Sequence, residues 1–520
     1  MVSGWQPIHY DIALTLDETL SEVTKARTVI TLHALRNKLN VIDLDFGEMP
    51  IDSVTIAGQA AKIIRAPGLL NVYPARELNI GDRVVIAVEY HGRPKDGLIL
   101  AADKDGKPSA TGDNWPNRVH HWIPCLDHPS AKATVNFTVT VPSRDLVVAN
   151  GKLNNVANHS PTMRTWSYTE AVSIPAYCMV IAVGEYAQLG PALPALTPLS
   201  YYVPQSDAKV AVMGFTPAAP SLKFFSETIA PYPYEKLALI VGATRFGGME
   251  NSSAIVFSSN LFGPRTNPRM SRAFNVNEGL EQVIAHEIAH QWFGDSVTES
   301  TWADLWLSEG FATYFAGLFV QKFDGEDAFQ AYMKRGADSY FGYEKKTRTP
   351  IHDTETEDLM QLLNENNYQK GAWVLHMLRN ELGDKAFFGG LRNYYAANKD
   401  SIATTNDLRA ALEKTSGRNL KEFFASWVYG SGHPRYELSW MWLAKSKQVR
   451  LTLRQLQPEA AFPNQVPVEL IAGKETSRMM LQPGAKTFSR EFKLKQSPSE
   501  IRVDPNNTIL KEVTVRATAP

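Results

Sequence analysis

Two histidines four residues apart on a helix can hold one metal ion, and the run Val283-Ile-Ala-His286-Glu287-Ile-Ala-His290 contains such a pair. That spacing sends both imidazoles from one helix face, about one turn apart. Two neutral ring nitrogens at about 2.0–2.1 Å suit Zn²⁺. Glu287 lies about 100° round the helix axis, near enough to reach a water on the metal without being a ligand. Zinc lowers the pKa of such a water and polarises a carbonyl, while the carboxylate takes the proton; the chemistry is hydrolysis. A catalytic zinc also needs a third protein ligand and an open fourth position. Glu309, nineteen residues past His290, is the candidate, in the segment Trp302-Ala-Asp304-Leu-Trp-Leu-Ser308-Glu309-Gly-Phe-Ala-Thr-Tyr314. The donor set predicts one zinc ion per chain. The bland alternative is a helix carrying two incidental histidines.

Elements must hold these groups. Asn277 is a candidate N-cap for the histidine helix, Glu278 and Glu281 suit its first turn, and Gly294 is a natural stop. Ser308 can cap a second helix that opens with Glu309. Helical periodicity also runs through Leu222 to Ile229, Glu326 to Arg335 and Gln369 to Leu382. The first ~190 residues alternate instead: Tyr10, Ile12, Leu14 and Leu16 share one face, and Arg83 to Tyr90 and Ala133 to Val141 behave alike. Breakers stand at Gly190 to Pro198 and at Gly430-Ser-Gly432-His-Pro434, after which short alternating runs return (Glu437 to Trp442, Val449 to Leu453, Val466 to Ile471, Phe488 to Leu494). The layout is a multidomain α+β chain, with predicted domains 1–192, 193–431 and 432–520.

Composition narrows the partners. Net charge is −1, with 53 Lys+Arg against 54 Asp+Glu, which disfavours nucleic acid and anionic membranes, both of which select basic surfaces. No apolar run approaches the ~20 residues that cross a bilayer. Cys125 and Cys178 form no C-x-x-C pair and read as buried free thiols. Met1-Val-Ser-Gly-Trp carries no charged leader and apolar block, so a cytoplasmic protein is expected, a leader already removed being the alternative. A monomer is expected.

Three motifs in order amount to a resemblance. His286-Glu-x-x-His290, eighteen residues, then Glu309 is preceded by Gly247-Gly248-Met249-Glu250-Asn251 and followed by Tyr368-Gln369-Lys370-Gly371. Together they resemble the zinc aminopeptidase family of aminopeptidase N and leukotriene hydrolase, gluzincins with H-E-x-x-H-x18-E, G-x-M-E-N and Y-x-K-G. The resemblance implies an N-terminal antiparallel β saddle or sandwich, a thermolysin-like, mainly α catalytic domain and a small C-terminal β-sandwich. It implies a metallo-aminopeptidase taking peptides with a free N-terminus. Glu250 would pair with the substrate ammonium, and Gly247, Gly248, Met249 and Asn251 would lie on an exposed edge strand that binds substrate. Tyr368 would stabilise the oxyanion. Asp304 would support a ligand histidine, a surface carboxylate or helix cap being the alternative. Lys370 would hold its helix or the Glu309 region, or be solvated.

Two departures stand out. Where many members place a second amine-binding Glu or Gln upstream of Pro124-Cys125-Leu126-Asp127, this chain has Asp113-Asn114-Trp115-Pro116-Asn117-Arg118. Asp113 or Asn114 would have to substitute, or Trp115 to wall the first-residue pocket. His120 and His121, as strand neighbours, would point to opposite faces. Only about 90 residues follow Gly430, so a three-domain variant without the helical C-terminal domain, and a more open cleft, are expected. An epoxide hydrolase of the leukotriene hydrolase type and a catalytically inert zinc peptide-binding scaffold are the competing readings.

Overall fold

The computed structural model describes residues 4–191, 195, 197–262, 269–270, 272–274 and 278–518. The chain divides into two compact units, Met1–Trp302 with Lys322–Asp324 and Tyr395–Thr404, and Ala303–Gln321 with Gly325–Tyr394 and Thr405–Pro520.

In the first unit the alternating segments become strands. Trp5–Leu16 buries Tyr10, Ile12, Leu14 and Leu16, none more than 2% exposed. It lies within an eight-stranded sheet, antiparallel to Val23–Ala34 and parallel to Lys132–Pro142. Phe46, Trp122 and Phe137 join these faces in one apolar core, where each large side chain contributes about 1.5–3 kcal/mol.

A second sheet of this unit, five strands, orders Tyr186–Leu189, Leu199–Pro204, Leu237–Gly242, Ala254–Ser258 and Gly248–Met249. Its inner strands run parallel. These strands carry no alternating pattern in the sequence, and the reason is physical. Leu237 to Val241 and Ala254 to Phe257 are buried at every position, and a strand buried on both faces has no polar alternation.

The helix Glu278–His290 belongs to this unit and buries Leu280, Ile284, Ala285, Ile288 and Ala289. Its expected cap, Asn277, lies outside the described residues, as do residues 192–194 and 196 of the Pro-rich breaker. Cys125 and Cys178 are both buried and free.

The second unit is built on helices. Trp306–Asp324 buries every residue from Trp306 to Val320. This helix starts earlier than the capping argument placed it. Leu305 is the N-cap and Ser308 sits inside the first turn, its N–H donating to the Leu305 carbonyl. Trp302–Asp304 forms a 3-10 turn immediately ahead, and the helix grows out of that turn instead of from a serine cap. Glu326–Glu344 and Gly371–Leu382 follow.

Strands Thr487–Lys493, Gln448–Gln455, Arg435–Leu443 and Glu512–Ala517 then form one sheet. Glu475–Leu481, Val466–Ala472 and Glu500–Val503 form another. Leu438, Leu451, Val468 and Leu470 are buried here, giving the small β-sandwich.

Candidate metal centre

His290 is 1% exposed, Glu287 6%, and His286 half-buried. One helical turn brings the His286 and His290 Nε2 atoms to 3.0 Å, their rings at 81°. The His290 Nδ1 atom lies 3.2 Å from the Phe293 carbonyl. A proton on Nδ1 donates there and makes Nε2 the nitrogen that can bind a metal. Two imidazole nitrogens sharing a tetrahedral zinc stand about 3.4 Å apart, from bonds of about 2.0–2.1 Å. The 3.0 Å pair stands a little closer than that, near enough for both nitrogens to share one metal ion.

Opposite this helix runs the Gly248–Met249 strand, the outermost strand of the five-stranded sheet, paired with Ala254–Ser258. A Cβ at position 248 would collide with the Glu287 carboxyl, so glycine there lets the two elements touch. The donor atoms of Glu250, Glu287 and His290 all lie within 4.8 Å of one another, and the three residues are buried. Two buried carboxylates this close repel strongly unless a cation or a proton lies between them. Asn251 is fully buried, its amide donating to the Met249 carbonyl at 3.4 Å; it shapes the turn after the strand.

Two residues absent from the sequence expectations anchor this arrangement. Gln291 follows His290, is fully buried, and donates from Nε2 to the Glu250 carbonyl and to Asp295 Oδ2, each at 2.8 Å. Asp295, also fully buried, accepts from the Cys178 thiol at 3.3 Å. Burial first, and then the neighbouring Glu250 charge, pushes the Asp295 carboxyl well above the ordinary carboxylate range. Their one sequence signal was adjacency to the histidine motif.

The upstream departure resolves into structure. Asn114 uses both ends of its amide, donating to the Met179 carbonyl at 2.5 Å and accepting from Trp122 Nε1 at 2.9 Å. Asp113 is fully buried and bonded to Arg118 at 2.9 Å and to Thr244 at 3.1 Å. These groups are committed to internal partners. Trp115, 2% exposed, packs edge-on against Phe246 and Trp302. His120 and His121 are not strand neighbours. They end a 3-10 turn with ring centroids 4.2 Å apart, and His120 is bonded to Asp127 at 2.8 Å.

In the second unit Glu309 occupies the first turn of Trp306–Asp324 and is 3% exposed. Beside it, a Cβ on Gly310 would stand 3.0 Å from the Gly371 backbone, so the two motif glycines form a helix crossing in backbone contact. Gly371 opens its helix directly after a π-helical turn, Asn366–Lys370, which carries Tyr368. Such turns are rare and recur at functional sites. Lys370 is not solvated. It is fully buried, donates to the Gly430 carbonyl at 3.3 Å and lies over the Tyr340 ring, and burial lowers its pKa to about 7. Asp304 accepts from the Thr405 hydroxyl at 2.6 Å and its N–H at 3.2 Å, with His352 at 3.7 Å. Burial raises its pKa despite those bonds.

Comparison with known proteins agrees with these motifs. Residues 6–178 match the Peptidase M1 N-terminal domain and residues 215–427 match the Peptidase family M1 domain. The chain belongs to the M1 peptidase family. M1 peptidases, the aminopeptidase N family of gluzincins, are zinc metalloproteases. "Probable aminopeptidase 2" of Sulfurisphaera tokodaii is 29% identical over 67% of this chain and 45% of its own length. "Tricorn protease-interacting factor F2" of Thermoplasma acidophilum is 27% identical over 76% of this chain and 50% of its own length. "Aminopeptidase M1" of Arabidopsis thaliana is 28% identical over 65% of this chain and 38% of its own length. The chain thus spans about half the length, or less, of these curated relatives.

Proposed function

We propose that the protein is a zinc-dependent aminopeptidase that hydrolyses the N-terminal peptide bond of peptides, with one zinc ion held by His286, His290 and Glu309. The observation that carries this reading is the buried Glu250–Glu287–His290 cluster against an edge strand. It supplies a metal-ligand face, a base and a second carboxylate that suits a cation. Zinc, when bound, supplies Lewis acidity, lowering the pKa of water and polarising the scissile carbonyl.

The chain's own groups do the rest. Glu250 pairs with the substrate ammonium, which restricts cleavage to chain ends. The Gly247 to Asn251 segment pairs with the peptide backbone as an added strand. Glu287 accepts a proton from the attacking water and gives it to the amide nitrogen as the C–N bond breaks. The Tyr368 phenol donates a hydrogen bond to the carbonyl oxygen as charge develops on it. Asp304 is a candidate partner for a ligand histidine. The three domains 1–192, 193–431 and 432–520 are part of the same proposal.

Glu287→Gln is expected to keep stoichiometric zinc and lose about 10²–10⁴-fold in kcat on an aminoacyl anilide. Retained hydrolysis by that variant would sink the mechanism. Zinc without turnover in the unaltered protein would mean an inert scaffold, and turnover of a lipid epoxide in place of peptides would mean an epoxide hydrolase.

A further inference from the structure

We infer that Gln291 is a positioning residue that sets where the amine-holding Glu250 stands relative to the histidine helix, and so which peptide bond reaches the metal ligands. The inference rests on the aminopeptidase reading above and deepens it.

A primary amide has two N–H donors and two carbonyl lone pairs. Gln291 is fully buried and all four are used. Its Nε2 donates to the Glu250 carbonyl and to Asp295 Oδ2, both at 2.8 Å. Its Oε1 accepts from the Ser253 N–H at 2.8 Å and the Tyr232 hydroxyl at 3.0 Å. The amide therefore brackets Glu250 to Ser253 from both sides, as a neighbouring strand would. Gln291 is bonded in sequence to His290, so this side chain joins the metal-ligand helix directly to the strand end carrying Glu250.

The bracketed turn needs holding. Ser253 sits at φ +61°, a left-handed conformation that is strained in a residue other than glycine. It is pinned further. The Ser253 hydroxyl accepts from the Gly151 N–H at 2.7 Å and donates to Glu170 at 3.0 Å, and Asn150 Nδ2 donates to the Ser252 carbonyl at 2.6 Å. Those contacts fix the turn to the strand layer beneath it. Gln291 links that turn to the residue that ends the histidine helix. Zinc binding itself does not need this amide, because the His286–His290 spacing is set within one helix.

The test is a double-mutant cycle with Gln291→Met and Glu250→Ala on an aminoacyl anilide, with zinc content measured throughout. In the unaltered background Gln291→Met should raise KM about tenfold or more, from the loss of buried hydrogen bonds, while zinc stays stoichiometric. In the Glu250→Ala background the same change should add less than about threefold, because the group it positions is gone. Equal losses in both backgrounds, or no loss, would overturn the inference. If Glu250→Ala alone leaves KM unchanged, the aminopeptidase reading of Glu250 fails instead. Should Gln291→Met fail to fold, Gln291→Asn keeps a buried amide but is one methylene too short to bracket the turn. It should show the same dependence on Glu250, and additivity there would overturn the inference equally.

Discussion

At the scale of single residues, the chemistry divides by what burial permits. His286, Glu287 and His290 come from one helix, so their relative placement follows from helix geometry alone. Asn114 shows the opposite. It stood in line for the amine contact by sequence position, yet both ends of its amide are committed to Met179 and Trp122. Tyr368 belongs with the transition state in the proposed mechanism. Tyr368→Phe should therefore lower kcat by about 10²–10³-fold with little change in KM. Steady-state kinetics separate the outcomes, and a loss confined to KM would remove Tyr368 from the oxyanion role.

At the scale of elements, two contacts decide geometry in the second unit. The Gly310–Gly371 crossing lets Trp306–Asp324 and Gly371–Leu382 approach through their backbones. A methyl at Gly371 would lie 3.0 Å from the Gly310 Cα, so one helix must move. Gly371→Ala should cost about 1–3 kcal/mol by overpacking, outweighing its gain of about 1 kcal/mol in helix propensity. It should also depress kcat, since the displaced helix follows the turn that carries Tyr368. Denaturant midpoints and turnover check this, and unchanged values for both would refute it. Farther along, His376 is 5% exposed, its Nε2 atom 3.2 Å from the Asn507 carbonyl, and burial lowers its pKa to about 4. An unfolded histidine titrates near pH 6.5. Between those values the unfolded chain binds a proton that the folded chain excludes, so stability falls as pH drops from 6.5 to 4. The loss reaches about 3 kcal/mol at the lower end. His376→Gln should flatten that part of the urea-midpoint profile; an undiminished slope would place its origin elsewhere.

At the scale of the whole molecule, two M1 domains match in order along the chain, which spans about half the length of the curated relatives it matches. No helix among the described residues is long and apolar enough to cross a membrane. If Glu250 restricts the proposed enzyme to chain ends, acetylating a substrate N-terminus should reduce kcat/KM by about 100-fold or more, because the charge-assisted pairing is lost. Internal cleavage of the acetylated peptide at the parent rate would defeat that reading. Much of this was legible in the residues before any coordinates. The histidine pair, its neighbouring glutamate and the alternating outer strands are local patterns, encoded within a few residues by the periods of helix and strand. The buried parallel strands were not legible, because continuous apolar runs carry no period. Nor was the bond from Gln291 to Glu250, 41 residues away, or the meeting of Gly310 with Gly371. Those contacts exist only once distant segments pack, and local spacing says nothing about which distant backbone a buried amide or a bare Cα will face.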